Sequence, residues 1–558
     1  MNISIRTILG LLLVTSSMCA QDRSSARSMV ITRYGIVATS HVQASVAGAQ
    51  ILARGGSAVD AAIAANAVLG VTEPMMNGMG GDLFAIYWDA KSGKLYGLNS
   101  SGWAPRALTI EHLKAKATGA TSMPLKGIDS VTVPGAVAGW HALHERFGRL
   151  TWKDLFQSAI FYADEGYPVP EIIAGYWNGS AEGLSQDAEA QRVYLTNGKA
   201  PVVGQVFQNH DLAKALRLVA QDGPDAFYKG EIASAILSTS RSLGGTMAAD
   251  DLSEFLPEWV EPISTTYRDW TVYELPPNGQ GMAALEMLNI METTAPSPEG
   301  PLSAAELHKK IEAMKLAYAD LGRYNGDPRF AKIPVQGILS KEYAAERAKL
   351  IAPSKANCEV APGAPPVSDT TYLSVVDREG NIVSLIQSNY EAFGSGVAVR
   401  GMGFVLQDRG ALFSLDPASP NALAPRKRPF HTIIPAFMEH GDQHIGFGIM
   451  GGANQPLAHA QFVSNVVDYG MNIQAAMENA RFTVSPNRGC NIVIESRVLP
   501  AVRQKLSAMG HQLDVRQEYS TAMGRGQAVM RDSKANLNYG ASDARADGSA
   551  EPEPPPTQ

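Results

Sequence analysis

From His41 to Glu73 nearly every position is small or apolar: Ala44, Val46, Ala47, Ala49, Ile51 and Leu52, then Ala58 to Leu69. Alanine on all faces, instead of along one stripe, predicts two tightly packed and buried helices. Gly55-Gly56 joins them, Ser57 caps the second, and Asp60 falls in its first turn. Leu83 to Trp88 then reads as a buried strand, with Lys94 to Leu98 as its hairpin partner. Residues 105–350 are predicted to be mainly helical. The clearest helix runs from Ser303 to Arg323, where Leu307, Ile311, Met314, Leu316 and Ala317 recur at helical spacing.

The texture changes near 352. Pro353, and then Pro362 to Pro366, make a proline-rich connector. Two β-type runs follow, Tyr372–Val376 and Ile382–Gln387, and the turn residues Asp377 to Asn381 between them predict a hairpin. Residues 370–545 therefore read as a separate strand-rich unit. The stretch 547–558, rich in proline and glutamate, reads as a disordered tail.

The chain of 558 residues has 54 acidic against 47 basic side chains and is 45% hydrophobic, enough to bury a large core. With no long basic run, neither nucleic acid nor a charged membrane surface is an expected partner. At the start, Arg6 precedes an apolar stretch, Ile8 to Val14, and then Cys19-Ala20. That run is shorter than the ~20 residues of a spanning helix. It predicts a signal peptide over residues 1–20 and export to the periplasm or the medium, with a lipid anchor on Cys19 as the lesser alternative. The other cysteines, Cys358 and Cys490, are too few for a disulfide framework. A single bridge stays open, but each is expected to pack singly. The histidines show no metal-ligand spacing, and Gly78-Met79-Gly80-Gly81 is no phosphate loop, so neither metal nor cofactor is expected.

Asp369-Thr370-Thr371 sits where the connector meets the first strand. A threonine pair there is ordinarily structural. It becomes chemical if the chain is cut before Thr370, because the new α-amine can take the proton of the same residue's hydroxyl. Nucleophile and base then share one residue, and the chain offers no G-x-S-x-G elbow to compete.

Thr370 to Asp377, with Gly380-Asn381 and Phe393-Gly394-Ser395-Gly396, closely resembles the start of the small subunit of γ-glutamyltransferases, N-terminal-nucleophile hydrolases made as one proenzyme. Gly55 to Ala62, Glu73-Pro74, Gly78 to Asp82, Val133-Pro134-Gly135, Pro276 to Gly279, Glu312 to Asp320, Arg428-Pro429 and Gly540 to Asp543 extend the resemblance over the mature chain. It implies a mixed α/β fold, a four-layer αββα sandwich, formed by a large subunit of residues 21–369 and a small one of 370–546. It implies self-cleavage between Asp369 and Thr370, acyl transfer through Thr370, a second hydroxyl from Ser388, and oxyanion donors at Gly451 and Gly452.

The departures fall on glutamate recognition. Ser101 stands where the family has an arginine for the substrate carboxylate, and Leu412 at or beside its ammonium-binding aspartate. Arg409 lies close by, Tyr390 replaces an asparagine, and His431-Thr432 replaces paired serines. These replacements resemble the acylase-like branch, which includes cephalosporin-acylase-like members, glutathione-hydrolase-like proteins and oxamate amidohydrolase. Arg409 and His431 are candidates for positive charge in the acyl pocket, with Tyr390, Thr432 and Ser101 beside them. The expected activity is transfer of a γ-glutamyl-type acyl group to water or an amine. The alternatives are an acylase for an anionic acyl group lacking the α-amine, and a catalytically silent binding protein.

Overall fold

The computed structural model describes residues 26–117, 119–360, 369–484 and 489–555, so residues 1–20, expected to be a signal peptide, and most of the connector lie outside the described residues. Two seven-stranded sheets form the centre. The first runs, from edge to edge, Ser549–Pro552, Ile36–Thr39, Asp369–Val376, Ile382–Tyr390, Asp82–Asp89, Lys94–Ser100 and Glu258–Val260. The second runs Val30–Thr32, Leu537–Ser542, Arg525–Asp532, Gln443–Met450, Ala436–His440, Trp270–Glu274 and Ile263–Tyr267. Neighbours in both sheets pair antiparallel.

The alanine-rich segment forms the helices Val42–Ala53 and Ala58–Thr72. Ser57 and Asp60 close a reciprocal capping box, the Asp60 amide donating to Ser57 Oγ at 3.1 Å and the Ser57 amide to Asp60 Oδ2 at 2.9 Å. Small residues allow close approach to the sheet: a Cβ added at Gly48 would lie 2.9 Å from the Val37 side chain. The pair covers the outer face of the first sheet, while Gly281–Glu292, Ala304–Tyr324 and Gln455–Val467 cover that of the second. The layers are therefore helix, sheet, sheet, helix.

Three readings are corrected. Residues 370–545 are not a separate unit, because strand Asp369–Val376 lies between Ile36–Thr39 and Ile382–Tyr390, and both sheets mix strands from before and after the connector. Strand pairing is non-local, and no local pattern encodes it. The mainly helical stretch also contributes the strands Glu258–Val260, Ile263–Tyr267 and Trp270–Glu274. The tail is ordered over Ser549–Pro552, an edge strand on Ile36–Thr39, a position proline tolerates. Glu553 is buried beyond it, accepting from the Gly35 amide at 2.9 Å. Finally, Cys358 and Cys490 form a disulfide across 132 residues of sequence.

The sheets interlock along Asp369–Val376. Ser374 Oγ donates to the Gly446 carbonyl at 3.1 Å, and a Cβ at Gly448 would lie 2.4 Å from the Tyr372 ring. Gly448→Val is expected to separate the sheets and destabilise the fold by about 1–3 kcal/mol or more. A thermal midpoint equal to wild type would contradict this packing.

Candidate active site

Thr370 lies at an irregularity in its ladder. Asp369 pairs with Tyr390 but Thr371 with Gln387, so Ser388 and Asn389 together face Thr370. The bulge turns the two hydroxyls together: Thr370 Oγ1 donates to Ser388 Oγ at 3.1 Å. The Tyr390 amide donates to the same Ser388 oxygen at 2.8 Å, with Tyr390 at a φ of 80°, unusual for an aromatic residue. Thr370 and Ser388 are fully buried.

Counting back by twos from Ser374 on Gly446 and Tyr372 on Gly448 puts Thr370 level with Met450 on the facing strand. The next residues, Gly451 and Gly452, have φ values of 136° and 59° that side-chain-bearing residues rarely adopt. They turn the chain into the helix Gln455–Val467. Gln280 Nε2 bridges this turn to the next loop, donating to the Gly452 carbonyl at 2.8 Å and the Thr432 carbonyl at 2.5 Å.

The charged groups here are buried. Arg409 begins a short 3₁₀ turn, Arg409–Leu412, and its side chain is fully enclosed. Nη1 donates to Thr432 Oγ1 at 2.5 Å, and the guanidinium lies 4.7 Å from the centre of the Tyr390 ring. Nε and Nη2 have no hydrogen-bond partner among the described residues. Burial pushes the Arg409 pKa down to about 10, opposed chiefly by Asp82, so the group stays charged at neutral pH.

Asp82, directly across the ladder from Ser388, is fully buried. Its Oδ1 accepts from the Gly102 amide at 3.0 Å and the Gly135 amide at 3.2 Å, and its Oδ2 lies 3.0 Å from His431 Nε2. Burial pushes Asp82 up to about 7, against the pull of Arg409 and these donors. His431 is held neutral, by burial first and then by the charges of Arg409 and Arg428. That direction works against His431 as a source of positive charge and leaves Arg409 as the stronger candidate of the two.

Ser101 is tied into the scaffold. Its hydroxyl donates to Asn99 Oδ1 at 2.8 Å and its Oγ accepts from Asn278 Nδ2 at 3.2 Å, while its carbonyl accepts from Arg428 Nε at 3.1 Å. Arg106, though near in sequence, pairs with Glu254 in an exposed contact. Thr370, Ser388, Tyr390, Arg409, Thr432 and His431 thus belong to one buried network through Asp82, and Gly452 joins it through Gln280. Sequence reasoning missed Asp82 and Gln280. The motif Gly80-Gly81-Asp82 was visible, but nothing local says that its carboxylate meets a histidine 349 residues away.

A threonine hydroxyl paired with a serine hydroxyl, at the head of a strand in a sheet-on-sheet sandwich, is the arrangement of N-terminal-nucleophile hydrolases. The sequence profile described as Gamma-glutamyltranspeptidase matches residues 44–553, and the chain belongs to that family. It is 37% identical over 528 residues to the glutathione hydrolase-like YwrD proenzyme of Bacillus subtilis, covering 93% of this chain and 99% of that protein. It is 33% identical over 530 residues to the oxamate amidohydrolase proenzyme of Klebsiella pneumoniae, with 93% and 98% covered. The crystal structure of a cephalosporin acylase from Bacillus halodurans superposes with a TM-score of 0.89 at 41% identity, covering 96% of this chain and 99% of that one.

Proposed function

We propose that the protein is a self-cleaving amidohydrolase in which Thr370 is the nucleophile. The 3.1 Å contact between Thr370 Oγ1 and Ser388 Oγ carries this reading, since it fixes the hydroxyl at the one position where a cut frees an α-amine on the same residue. In maturation the Thr370 hydroxyl adds to the Asp369 carbonyl carbon and the C–N bond breaks. The acyl group is left on oxygen and the amine is free. Water then opens the ester, releasing residues 21–369 as the large subunit and starting the small one at Thr370.

In turnover the α-amine takes the Thr370 hydroxyl proton as the oxygen attacks an amide carbonyl. The backbone amides of Gly451 and Gly452 stabilise the oxyanion, the leaving amine departs with the proton, and water cleaves the acyl-Thr370 ester. Below the pKa of that amine, ~8 in a model peptide and lowered by burial, kcat/KM is expected to fall about tenfold per pH unit. A rate flat down to pH 5 would exclude the α-amine as base.

The acyl group we assign is anionic and lacks an α-amine. Arg409 has two N–H groups to offer a carboxylate, in a fork suited to it. An ammonium would need a free carboxylate: both oxygens of Asp82 are engaged, and Asp408 Oδ1 accepts from the Glu391 amide at 3.0 Å, whereas Asp408 Oδ2, 3.8 Å from Lys126 Nζ, has no hydrogen-bond partner among the described residues and is the group the second reading would use. γ-Glutamyl amides such as glutathione are the second reading, supported by family membership and by the relatives' names. Export is part of the proposal, supported by the leader-like residues 1–20 and by a disulfide, which persists in oxidising compartments.

N-terminal sequencing of the purified protein, with kcat/KM for glutaryl, oxamate and γ-glutamyl amides, tests the whole reading. A fragment beginning Thr370-Thr371-Tyr372 and preference for the amine-free acyl groups are expected. A folded chain that stays whole would sink the mechanism. Preference for γ-glutamyl amides would move the assignment to the second reading.

A further inference from the structure

The proposed cut falls between two cysteines that are bonded to each other. Cys358 precedes the Asp369–Thr370 bond and Cys490 follows it, so the disulfide spans the site of cleavage. The segment bearing Cys358 is also held non-covalently, the Ala356 amide donating to the Met509 carbonyl at 2.7 Å, while Cys490 is fixed within its own part of the chain, its carbonyl accepting from the Gln512 amide at 2.8 Å. Helix Ala304–Tyr324 supplies a buried ammonium to the same place. Lys315 Nζ donates to the Asn357 carbonyl at 3.0 Å and to Glu312 Oε1 at 2.7 Å, and lies 3.8 Å from Cys490 Sγ. The two sulfurs are not equivalent, since Cys358 is exposed and Cys490 is 4% exposed.

We infer that Cys358–Cys490 is a thiol-reopenable latch that joins the two chains of the processed enzyme covalently and keeps the cut end, residues 359–369, attached to the small subunit. This rests on the cleavage proposed above. Opening follows from the asymmetry. An external thiolate attacks the sulfur of Cys358, the exposed residue of the two, and forms a mixed disulfide there. The S–S electron pair leaves on Cys490 as a thiolate, which the adjacent Lys315 ammonium stabilises. A second external thiolate attacks the reagent's own sulfur in the mixed disulfide, giving the oxidised reagent and a Cys358 thiolate. The structure thus distinguishes the entry sulfur from the leaving sulfur.

Trypsin makes the test direct, because Lys355, Arg488 and Arg497 bracket both cysteines. The purified protein, alkylated without reductant and digested, is expected to yield peptide 356–369 linked to peptide 489–497. Its gel should show one band, resolving into two on reduction. Brief exposure to limiting 2-mercaptoethanol before alkylation should place the adduct on the 356–369 peptide. A Cys358→Ser, Cys490→Ser double variant should run as two bands without reductant. Two bands from wild type without reductant, with both peptides alkylated, would overturn the latch and leave the cut standing. A linked peptide running on to Arg378 would overturn the cut, and with it the joining of two chains, while the sulfur bond stands. An adduct on peptide 489–497 would overturn the assigned direction of opening.

Discussion

Thr370→Ala is expected to leave the chain whole and to lower amide hydrolysis by at least about 10⁴-fold, since the substitution removes the group that attacks in both maturation and turnover. The fold should survive. Alanine deletes one hydroxyl and one hydrogen bond, to Ser388 at 3.1 Å, a loss of about 1 kcal/mol in a chain with two large buried cores. Intact mass and a circular-dichroism melt on the same sample separate loss of chemistry from loss of structure. Thr370→Ser keeps the hydroxyl and should still cut, more slowly, because serine's side chain is less restricted about χ1 than β-branched threonine. An alanine variant that still cuts before position 370 would remove Thr370 from the mechanism altogether.

Arg409→Met is expected to reduce kcat/KM for a glutaryl amide by about 30- to 3,000-fold, the range for losing a buried charge-assisted partner of roughly 2–5 kcal/mol. A valeryl amide, equal in chain length but uncharged, should lose little or gain. The contrast between the two substrates is the informative quantity, because Arg409 also contacts Thr432 and the Tyr390 ring. Equal losses on both would mean that Arg409 holds the pocket's shape and does not meet the acyl carboxylate. Arg409→Lys should recover only part of the difference, since an ammonium cannot reproduce the two-pronged guanidinium contact. Removing the guanidinium also takes away the main charge that opposes the burial-raised pKa of Asp82.

Of the architecture, the elements with strong local signals were legible. The alanine-rich helix pair with its Ser57–Asp60 box, the helix capped by Ser303, and the hairpin around Gly380-Asn381 all stand where pattern and capping chemistry placed them. The short strands Ile263–Tyr267 and Trp270–Glu274 were not, because they sit between helices and draw their stability from neighbours far along the chain. The Ser549–Pro552 strand failed for the opposite reason. Its composition is that of a solvated tail, yet an open edge beside Ile36–Thr39 supplies the backbone partners that its side chains do not advertise.

The site divides along the same line. Sequence by itself determined the residue types that carry chemistry: a threonine after a connector, a serine eighteen residues on, paired glycines, and a change of charge where a glutamate clamp would be. Tertiary structure decided what those residues do to one another. A one-residue bulge, not the spacing, aims Thr370 at Ser388. Antiparallel pairing carries Asp82 to Ser388 and to His431, which turns a candidate cation into a neutral ring. Burial encloses Arg409 with two nitrogens, Nε and Nη2, that have no partner among the described residues. Residue identity is local, whereas protonation state and hydrogen-bond saturation depend on which groups share a buried volume, and only the folded chain specifies that.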